Sequence, residues 1–288
     1  MLGAAWIAEH AVLPAIAASR NGRPVALASR NPERARQVLE PYPGARVLGS
    51  YDEVLADPDV DCVYIPLVNN LHKEWALRAF GAGKHVLCEK PLAMNAGEAE
   101  AMASAARNAR KHLMEAFMYR FQPAIREFVQ NVHDPIHVQA TFGFTLGGGA
   151  NYRRQAELGG GALLDVGCYT VSVSRWILGE PIDVVSRVHA EGGVDLSVSA
   201  LLQFEGGRTA SIWASFESPE EQEVTVITRD QVLRRERPFN PFDKPNAQYR
   251  LMVESFADSV LRDTPVAIPL SESIANMRVL DRIREASR

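Results

Sequence analysis

The sequence predicts an α/β chain in two parts. Residues 1–117 form a parallel sheet covered by helices; residues 118–288 form an α+β part with a large, mostly antiparallel, open-faced sheet. Three observations carry that reading. Up to residue 116, short apolar runs alternate with longer stretches of helical spacing, as in a parallel sheet with helices on both faces. Beyond 117 the texture changes to long runs of apolar–polar alternation, which read as half-exposed strands. And 288 residues exceed one small core and suit two domains of about 100–200 residues each.

In chain order, Pro24–Ala28, Ala45–Leu48, Val60–Ile65, His85–Cys88 and Leu113–Met114 are apolar enough for buried strands. Between them Pro32–Glu40, Tyr51–Ala56, Leu71–Ala82 and Ala96–Arg110 carry helical composition or spacing. A helix near Ala124–Val132 then leads to an alternating run at Ile136–Phe144, a glycine-rich loop and a helix over Ala162–Leu178. Ile182–Ala190, Leu196–Phe204 and Thr209–Phe216 are three long alternating runs. The last two are joined through Glu205-Gly-Gly-Arg208, a hairpin signal. Glu223–Thr228 is expected to continue this meander, and helices near Gln248–Arg262 and Ser271–Ala286 close the chain. With no linker between the halves, the boundary at Phe117 is tight, and a cleft between domains is the expected ligand site.

Composition excludes several classes. Hydrophobic residues make up 47% and charged residues 23%, the balance of an ordinary soluble globular protein. Thirty-one basic residues against 35 acidic ones leave a net charge of −4, which offers nucleic acid or anionic membrane no attracting field. No run of 18 uncharged apolar residues occurs, and Glu9 and His10 interrupt the apolar N-terminus where a signal peptide needs its core. A cytoplasmic protein is expected. Seven scattered histidines give no metal-ligand spacing, so no metal is expected. Cys62, Cys88 and Cys168 lie in apolar runs and read as buried reduced thiols.

Gly3-Ala-Ala-Trp-Ile-Ala8 is a degenerate form of G-x-G-x-x-G/A, with Ala5 in place of the second glycine. A helical run follows, then a strand, and Ala28-Ser29-Arg30 falls some 20 residues after Ala8, where a ribose-reading residue belongs. No carboxylate stands there to accept from a 2′-hydroxyl. Arg30 and Arg34 instead present two guanidinium forks that can bracket a 2′-phosphate, with the Ser29 hydroxyl donating as well. NADP is the expected cofactor, with NAD possible; two solvated helix-start arginines are the plain alternative. One feature conflicts. Such a fold places its central first strand directly before the glycine turn, and only Met1 and Leu2 precede Gly3. The sequence therefore predicts a gap or a closed-up sheet beside Val25–Ala28. A chain starting here is expected to be poorly soluble or to bind NADP weakly, and upstream residues to complete the strand.

Two constellations carry chemistry. His85-Val-Leu-Cys-Glu89-Lys90-Pro91 is a strand ending in a charged pair, and ligands bind at strand carboxyl ends in such sheets. Lys90 can direct positive charge at a reacting hydroxyl, and Lys90–Pro91 is a candidate cis peptide. In Gly159-Gly-Gly-Ala-Leu-Leu-Asp165-Val-Gly-Cys-Tyr169 the glycines permit close backbone approach, and Asp165 and Tyr169 share a helical face. A polar turn, and a helix-start acid with a core tyrosine, are the bland readings.

These residues, with Asn70-Leu-His72 and Met114-Glu-Ala-Phe-Met-Tyr-Arg-Phe121, resemble the glucose–fructose oxidoreductase/inositol dehydrogenase (Gfo/Idh/MocA) family over nearly the whole chain. Tyr169 stands where inositol dehydrogenases have histidine. That likens the chain most to the branch of dimeric dihydrodiol dehydrogenases and NADP-dependent xylose 1-dehydrogenases. The resemblance implies a Rossmann domain at 1–117 and a substrate-binding and oligomerisation domain at 118–288. It implies Lys90 and Tyr169 as the catalytic pair, assisted by Asp165. For the cofactor it implies Gly3, Ala5, Trp6, Ile7, Ser29, Arg30, Arg34, Pro66, Leu67, Asn69, His72, Glu89 and Lys90, with His72 near nicotinamide and substrate. The chemistry implied is hydride transfer from a sugar or diol hydroxyl whose proton Tyr169 accepts, with Lys90 favouring the phenolate. Ala5 and Val68 depart from the family's usual glycine and proline. A non-catalytic nucleotide-binding sensor and an inactive truncated enzyme are the alternatives. The open sheet face predicts a homodimer or tetramer.

Overall fold

The computed structural model describes residues 1–149, 151–239 and 247–287, and the chain divides into two compact units. The first comprises Met1–Ala93, Gly97–Gln122 and the helix Ala247–Arg262 with its continuation to Ser273. The second comprises Met94–Ala96, the chain from Pro123 through the large sheet, and the C-terminal helix from Ile274.

In the first unit, β1 (Ala26–Ala28), β2 (Arg46–Leu48), β3 (Cys62–Ile65), β4 (His85–Cys88) and β5 (Leu113–Glu115) fall where the apolar runs place them. β1 pairs with β2, and β3 with β4 and β4 with β5, all in parallel. Parallel neighbours need a crossover. α2 (Pro32–Leu39), α3 (Tyr51–Ala56), α4 (His72–Gly81) and α5 (Ala96–Ala109) supply it, after the short α1 (Leu13–Ala17). Sequence fixes where α2 and α3 begin. The Asn31 side chain accepts the Arg34 N–H, and the Ser50 hydroxyl accepts the Glu53 N–H, each cap contributing about 1 kcal/mol. The helix Ala247–Arg262 packs on α1 and on the 3-10 turn Met118–Phe121, so it joins this unit although it lies beyond residue 117.

The sheet carries the expected gap. Leu2 alone bridges β1 and β3: it pairs with Ala28, and its N–H donates to the Tyr64 carbonyl at 3.1 Å. The Met1 amino group donates to the Ala26 carbonyl at 2.7 Å. Before Met1 the two flanking strands part around a cavity of about 440 Å³, lined by Pro24, Val25, Ala26, Val60, Cys62 and Tyr64 among others. Burial there lowers the Met1 amine from 8.0 to about 5.

In the second unit, β6 (Pro135–Gly143), β7 (Asp183–Glu191), β8 (Val194–Gln203), β9 (Thr209–Ser215), β10 (Glu221–Thr228) and β11 (Val232–Glu236) form one six-stranded sheet. The strands match the alternating runs; β11 was not anticipated. The expected simple meander is corrected. The order is β11-β10-β6-β9-β8-β7, so β6 inserts between β9 and β10, parallel to the first and antiparallel to the second. Alternation fixes which side of a strand is buried; it does not fix which strand lies beside which. The β8–β9 hairpin turns at Glu205–Gly207 as the two glycines signal, both with positive φ. α6 (Pro123–Gln130) precedes the sheet, and α7 (Cys168–Leu178) packs on β6 and β9. The chain ends in α8 (Ala247–Arg262, the helix of the first unit) and α9 (Leu270–Ala286). Strict alternation along β8 buries Val194, Leu196, Val198, Ala200 and Leu202, and turns Ser199, Leu201 and Gln203 outward.

Candidate functional site

The glycine turn folds as its composition requires. Gly3 has φ +107°, and a Cβ there would stand 3.0 Å from Leu67 Cδ2, so a side chain would be both strained and crowded. The chain then enters a helix whose first full turn, Ala8–Val12, is a π-helix. Such wide turns cluster at functional sites. Ala5 and Ile7 are half-buried. Trp6 is 68% exposed and stacks on His10 with centroids 4.6 Å apart. Turn and helix start make a cradle suited to a pyrophosphate.

Around the end of β1, Arg30 is exposed and Ser29 half-buried. The Ser29 oxygen accepts the Asn31 N–H at 3.2 Å, a contact that does not use its hydroxyl hydrogen. Arg34 is committed differently from Arg30: its guanidinium is paired with the Glu9 carboxylate on the first helix. Two equivalent forks are therefore not what the fold presents, since the Arg34 guanidinium already has a carboxylate partner and Arg30 is exposed.

The end of β4 is the most heavily built part of this unit. Lys90–Pro91 is cis. Three side chains fix the segment around it. The Tyr64 hydroxyl donates to Glu89, whose other oxygen accepts the Lys90 N–H at 3.3 Å. Burial pushes the Tyr64 phenol well up, with Glu89 adding to it, so Tyr64 remains a donor. Glu115 Oε1 accepts the Leu92 N–H at 2.8 Å, and burial raises that carboxyl to about 7. His72, fully enclosed, sits between two carbonyls, with Nδ1 3.0 Å from Pro91 O and Nε2 2.9 Å from Leu67 O. Burial lowers its pKa. With its pKa lowered the ring is neutral near pH 7, so one nitrogen donates while the unprotonated one only abuts a carbonyl; through these contacts His72 sits between the loop after β3 and the loop after β4. Pro66 and Asn69 are buried beside it in sequence, Leu67 half-buried. Tyr249 of α8 joins this cluster. Burial raises its phenol, Glu89 raises it further, and Lys90 opposes the shift.

In the second unit the glycines 159–161 dock onto the preceding segment. The Gly161 N–H donates to Arg153 O at 3.0 Å and the Gly160 N–H to Gln155 O at 2.9 Å. A Cβ on Gly160 would lie 2.5 Å from Arg153 O, and one on Gly161 2.1 Å from Asp195 Oδ1, so neither position admits a side chain. Asp195 of β8 accepts the Leu163 N–H at 2.6 Å, holding the start of the helix that carries Asp165 and Tyr169. That helix opens with a π turn, Leu163–Gly167. Asp165 is gripped by Arg153, Nε to Oδ2 at 2.6 Å and Nη2 to Oδ1 at 3.3 Å. Tyr169 is buried, its ring 5.5 Å from Phe142 and 5.4 Å from Phe239.

The sequence reading left Tyr64, Glu115, Arg153, Asp195 and Tyr249 without roles. Glu115 lies inside a quoted motif and Arg153 just ahead of another, so proximity in sequence was the available signal for those two. Tyr249 feels the charges of Glu89 and Lys90, the latter across 159 positions of chain, which nothing local announces. Among the described residues no helix is long and apolar enough to cross a membrane, and no three His, Cys, Asp or Glu side chains gather to hold a metal. Cys88 and Cys168 are buried; Cys62 is half-buried, its thiol raised to about 12 by burial.

Comparison with known proteins places both units. Residues 1–117 match the family profile described as an oxidoreductase family with an NAD-binding Rossmann fold. Residues 130–234 match the GFO/IDH/MocA C-terminal domain. A D-xylose 1-dehydrogenase (NADP(+)) of Haloferax volcanii is 37% identical, covering 100% of this chain and 96% of its own. A trans-1,2-dihydrobenzene-1,2-diol dehydrogenase of Xenopus tropicalis is 35% identical over 71% of this chain and 63% of its own. Among solved structures, a 3-ketoreductase from Actinomadura kijaniata in complex with NADP and TDP-benzene superposes with a TM-score of 0.92 at 30% identity. It covers 100% of this chain and 96% of that one.

Proposed function

This chain belongs to the Gfo/Idh/MocA oxidoreductase family, and from that premise we propose that it is an NADP-dependent dehydrogenase acting on a sugar or vicinal-diol hydroxyl. The activity would be that of an aldose 1-dehydrogenase or a dihydrodiol dehydrogenase. The observation that carries this reading is Lys90 at the end of β4, its flanking residues held by Tyr64, His72 and Glu115. A purely structural turn needs no such buried scaffold for one half-buried lysine. A non-catalytic sensor would have no use for it either.

Residues 1–117 take the cofactor and 118–288 the substrate, with α8 adding Tyr249 to the first. Gly3, Ala5, Trp6 and Ile7 cradle the pyrophosphate, and the Gly3 close approach fits that group. Ser29, Arg30 and Arg34 receive the 2′-phosphate. Pro66, Leu67 and Asn69 border the nicotinamide, on a loop shape that His72 holds; Glu89 fixes the Lys90 backbone. When bound, the nicotinamide supplies a hydride acceptor. The protein supplies the proton path: Tyr169 takes the proton of the substrate hydroxyl, and the Lys90 charge favours the phenolate that does so. A screen of NADP+ and NAD+ reduction against pentoses, hexoses and cyclic diols tests the reading. Turnover with none of them, in protein that binds NADP, favours the sensor.

Cofactor preference is expected to lie mainly in Arg30, because Glu9 already offsets Arg34. NADP should bind at least about tenfold tighter than NAD, or about 1.4 kcal/mol. In titrations Arg30→Ala should erase most of that margin and leave NAD binding nearly unchanged; Arg34→Ala should erase less. Equal affinities for the two cofactors in the parent protein would refute the assignment.

The outer face of β7–β9 is broad and weakly polar. It presents Val185 at 55% exposure and Leu201 at 48% amid Ser199, Ser211 and Trp213. A flat face of this kind, unpartnered on one side of a sheet, suits self-association about a two-fold axis. Light scattering at micromolar concentration should report a homodimer or a tetramer built from two such dimers. Leu201→Lys should shift it toward monomer, and a monomeric parent protein would remove the proposal.

A further inference from the structure

Lys90 is useful only if the segment that carries it is held still. One peptide unit just beyond it, Pro91–Leu92, is met at both ends by buried side chains. Its carbonyl lies 3.0 Å from Nδ1 of His72, and its N–H donates to Glu115 Oε1 at 2.8 Å. His72 is 0% and Glu115 1% exposed. The second Glu115 oxygen has no hydrogen-bond partner, nor has the Ser273 Oγ that stands beside it near the start of α9. A plain structural clamp at this position needs no ionisable group. A glutamine carbonyl would accept the Leu92 N–H, its NH2 would face Ser273, and no charge would enter the apolar interior.

We propose that Glu115 is a positioning residue for the reaction: its carboxyl grips the peptide unit that follows Lys90, and the grip tightens when that carboxyl gives up its proton. The proposal rests on the dehydrogenase reading of Lys90. The physical reason is the strength of the acceptor. A hydrogen bond to an ionised group is roughly twice as strong as one between neutral groups. The carboxylate therefore holds the Leu92 N–H more firmly than the acid does. The geometry carries that difference to Lys90. Glu115 closes β5, and Cys88, its partner in the ladder, closes β4. Cys88 is anchored, since its carbonyl accepts the Ala116 N–H at 2.7 Å. Lys90 stands midway in sequence between Cys88 and Leu92, so loosening Leu92 frees one of the two ends that hold it.

Burial places the Glu115 carboxyl where it changes charge near neutrality, at about 7. The groups around it pull in both directions. From β4, Glu89 disfavours a second negative charge, and the Cys88 thiol, itself pushed well up by burial, stays neutral. From the turn Met118–Phe121, Arg120 favours the carboxylate; its guanidinium also lies 3.8 Å from Glu272. Near the start of α9 the Ser273 hydroxyl favours it as well. His72, across the Pro91–Leu92 peptide, is kept neutral by burial.

The test reads the grip at Leu92 itself. Hydrogen exchange of that amide, corrected for its intrinsic rate, is followed with NADP present between about pH 6 and about pH 8. In the parent protein its protection is expected to grow about fivefold over that range, with a midpoint near 7. In Glu115→Gln it should stay flat. The kcat/KM of the parent divided by that of Glu115→Gln is expected to rise at least about threefold over the same range. Proton transfer to Tyr169 is common to both proteins and cancels in this ratio. A merely structural Glu115 would give a ratio independent of pH. Ser273→Ala keeps Glu115 and removes a hydroxyl that favours its charge, so the midpoint should move up. This variant carries the test should Glu115→Gln fail to fold. Flat protection in the parent, a gain that survives Glu115→Gln, a kinetic ratio independent of pH, or a midpoint unmoved by Ser273→Ala overturns the proposal. Absence of turnover in the parent protein sinks the dehydrogenase reading instead, and exchange at Leu92 still reports whether Glu115 governs the grip.

Discussion

Tyr169→Phe is expected to lower turnover on the best sugar or diol substrate by at least about a hundredfold, with NADP affinity unchanged. The substitution removes one oxygen and leaves the ring between Phe142 and Phe239, so packing is preserved. What disappears is the acceptor for the substrate's proton, and general-base steps of this kind contribute typically 10²–10⁴-fold. A hundredfold is about 2.7 kcal/mol of transition-state stabilisation. The loss should fall on kcat and kcat/KM together, as expected for an interaction made in the transition state and not in the ground state. It should not be recovered at high pH, since no ionisable group remains at that position. A Tyr169→Phe enzyme with parental kcat would show that the proton leaves by another group. The mechanism would then have to be rebuilt around Lys90.

How much of this was legible in the sequence follows from the physics of each feature. Strands such as His85–Cys88 announce themselves because burial on both faces forces a continuous apolar run. The hairpin at Gly206-Gly207 does so because only glycine takes positive φ cheaply. Lys90, Asp165 and Tyr169 were found because they sit in short contiguous motifs. The strand order of the second sheet was hidden, since β6 and β9 pair across 72 positions and either could have met another alternating edge. The commitments of charged groups were hidden too. Nothing in the residues around Arg34 says that Glu9 will pair with it, and nothing around Asp165 says that its partner is Arg153 rather than Tyr169. A long side chain reaches several ångströms in directions that only the folded backbone decides. His72 illustrates the same limit: its position near the Lys90 loop was readable, but its occupation by two carbonyls was not.

The second large effect is expected at the gap in the first sheet. Joining a five-residue Val/Ile-rich segment to Met1 should raise the melting temperature by several degrees and tighten NADP binding. The groove already has the form of a strand site. Leu2 pairs with β1 and its N–H donates to the β3 carbonyl of Tyr64, so an extension of Met1 leads directly between the two strands. In a parallel ladder alternate residues face opposite neighbours. Val25 O and Asp61 O are turned to the Arg46 and His85 N–H groups, which points Pro24, Ala26, Val60 and Cys62 into the groove. A filled groove gains several backbone hydrogen bonds at about 1 kcal/mol each. Apolar burial adds roughly 25 cal/mol per Å². Against a domain stability of about 5–15 kcal/mol, that is a large fraction. The extension also changes the pH dependence. With the Met1 amine lowered from 8.0 to about 5, the unfolded chain binds more protons than the folded one across that window. Stability of the chain starting at Met1 should therefore fall as pH drops from about 8 to about 5. An amide at Met1 abolishes that slope whatever the added residues are, so a Gly/Asn-rich extension of equal length should flatten the profile without the further gain. Calorimetry of the three proteins between pH 5 and 8 separates the contributions. Equal melting temperatures for the Val/Ile-rich and Gly/Asn-rich extensions would show that the groove does not take a strand.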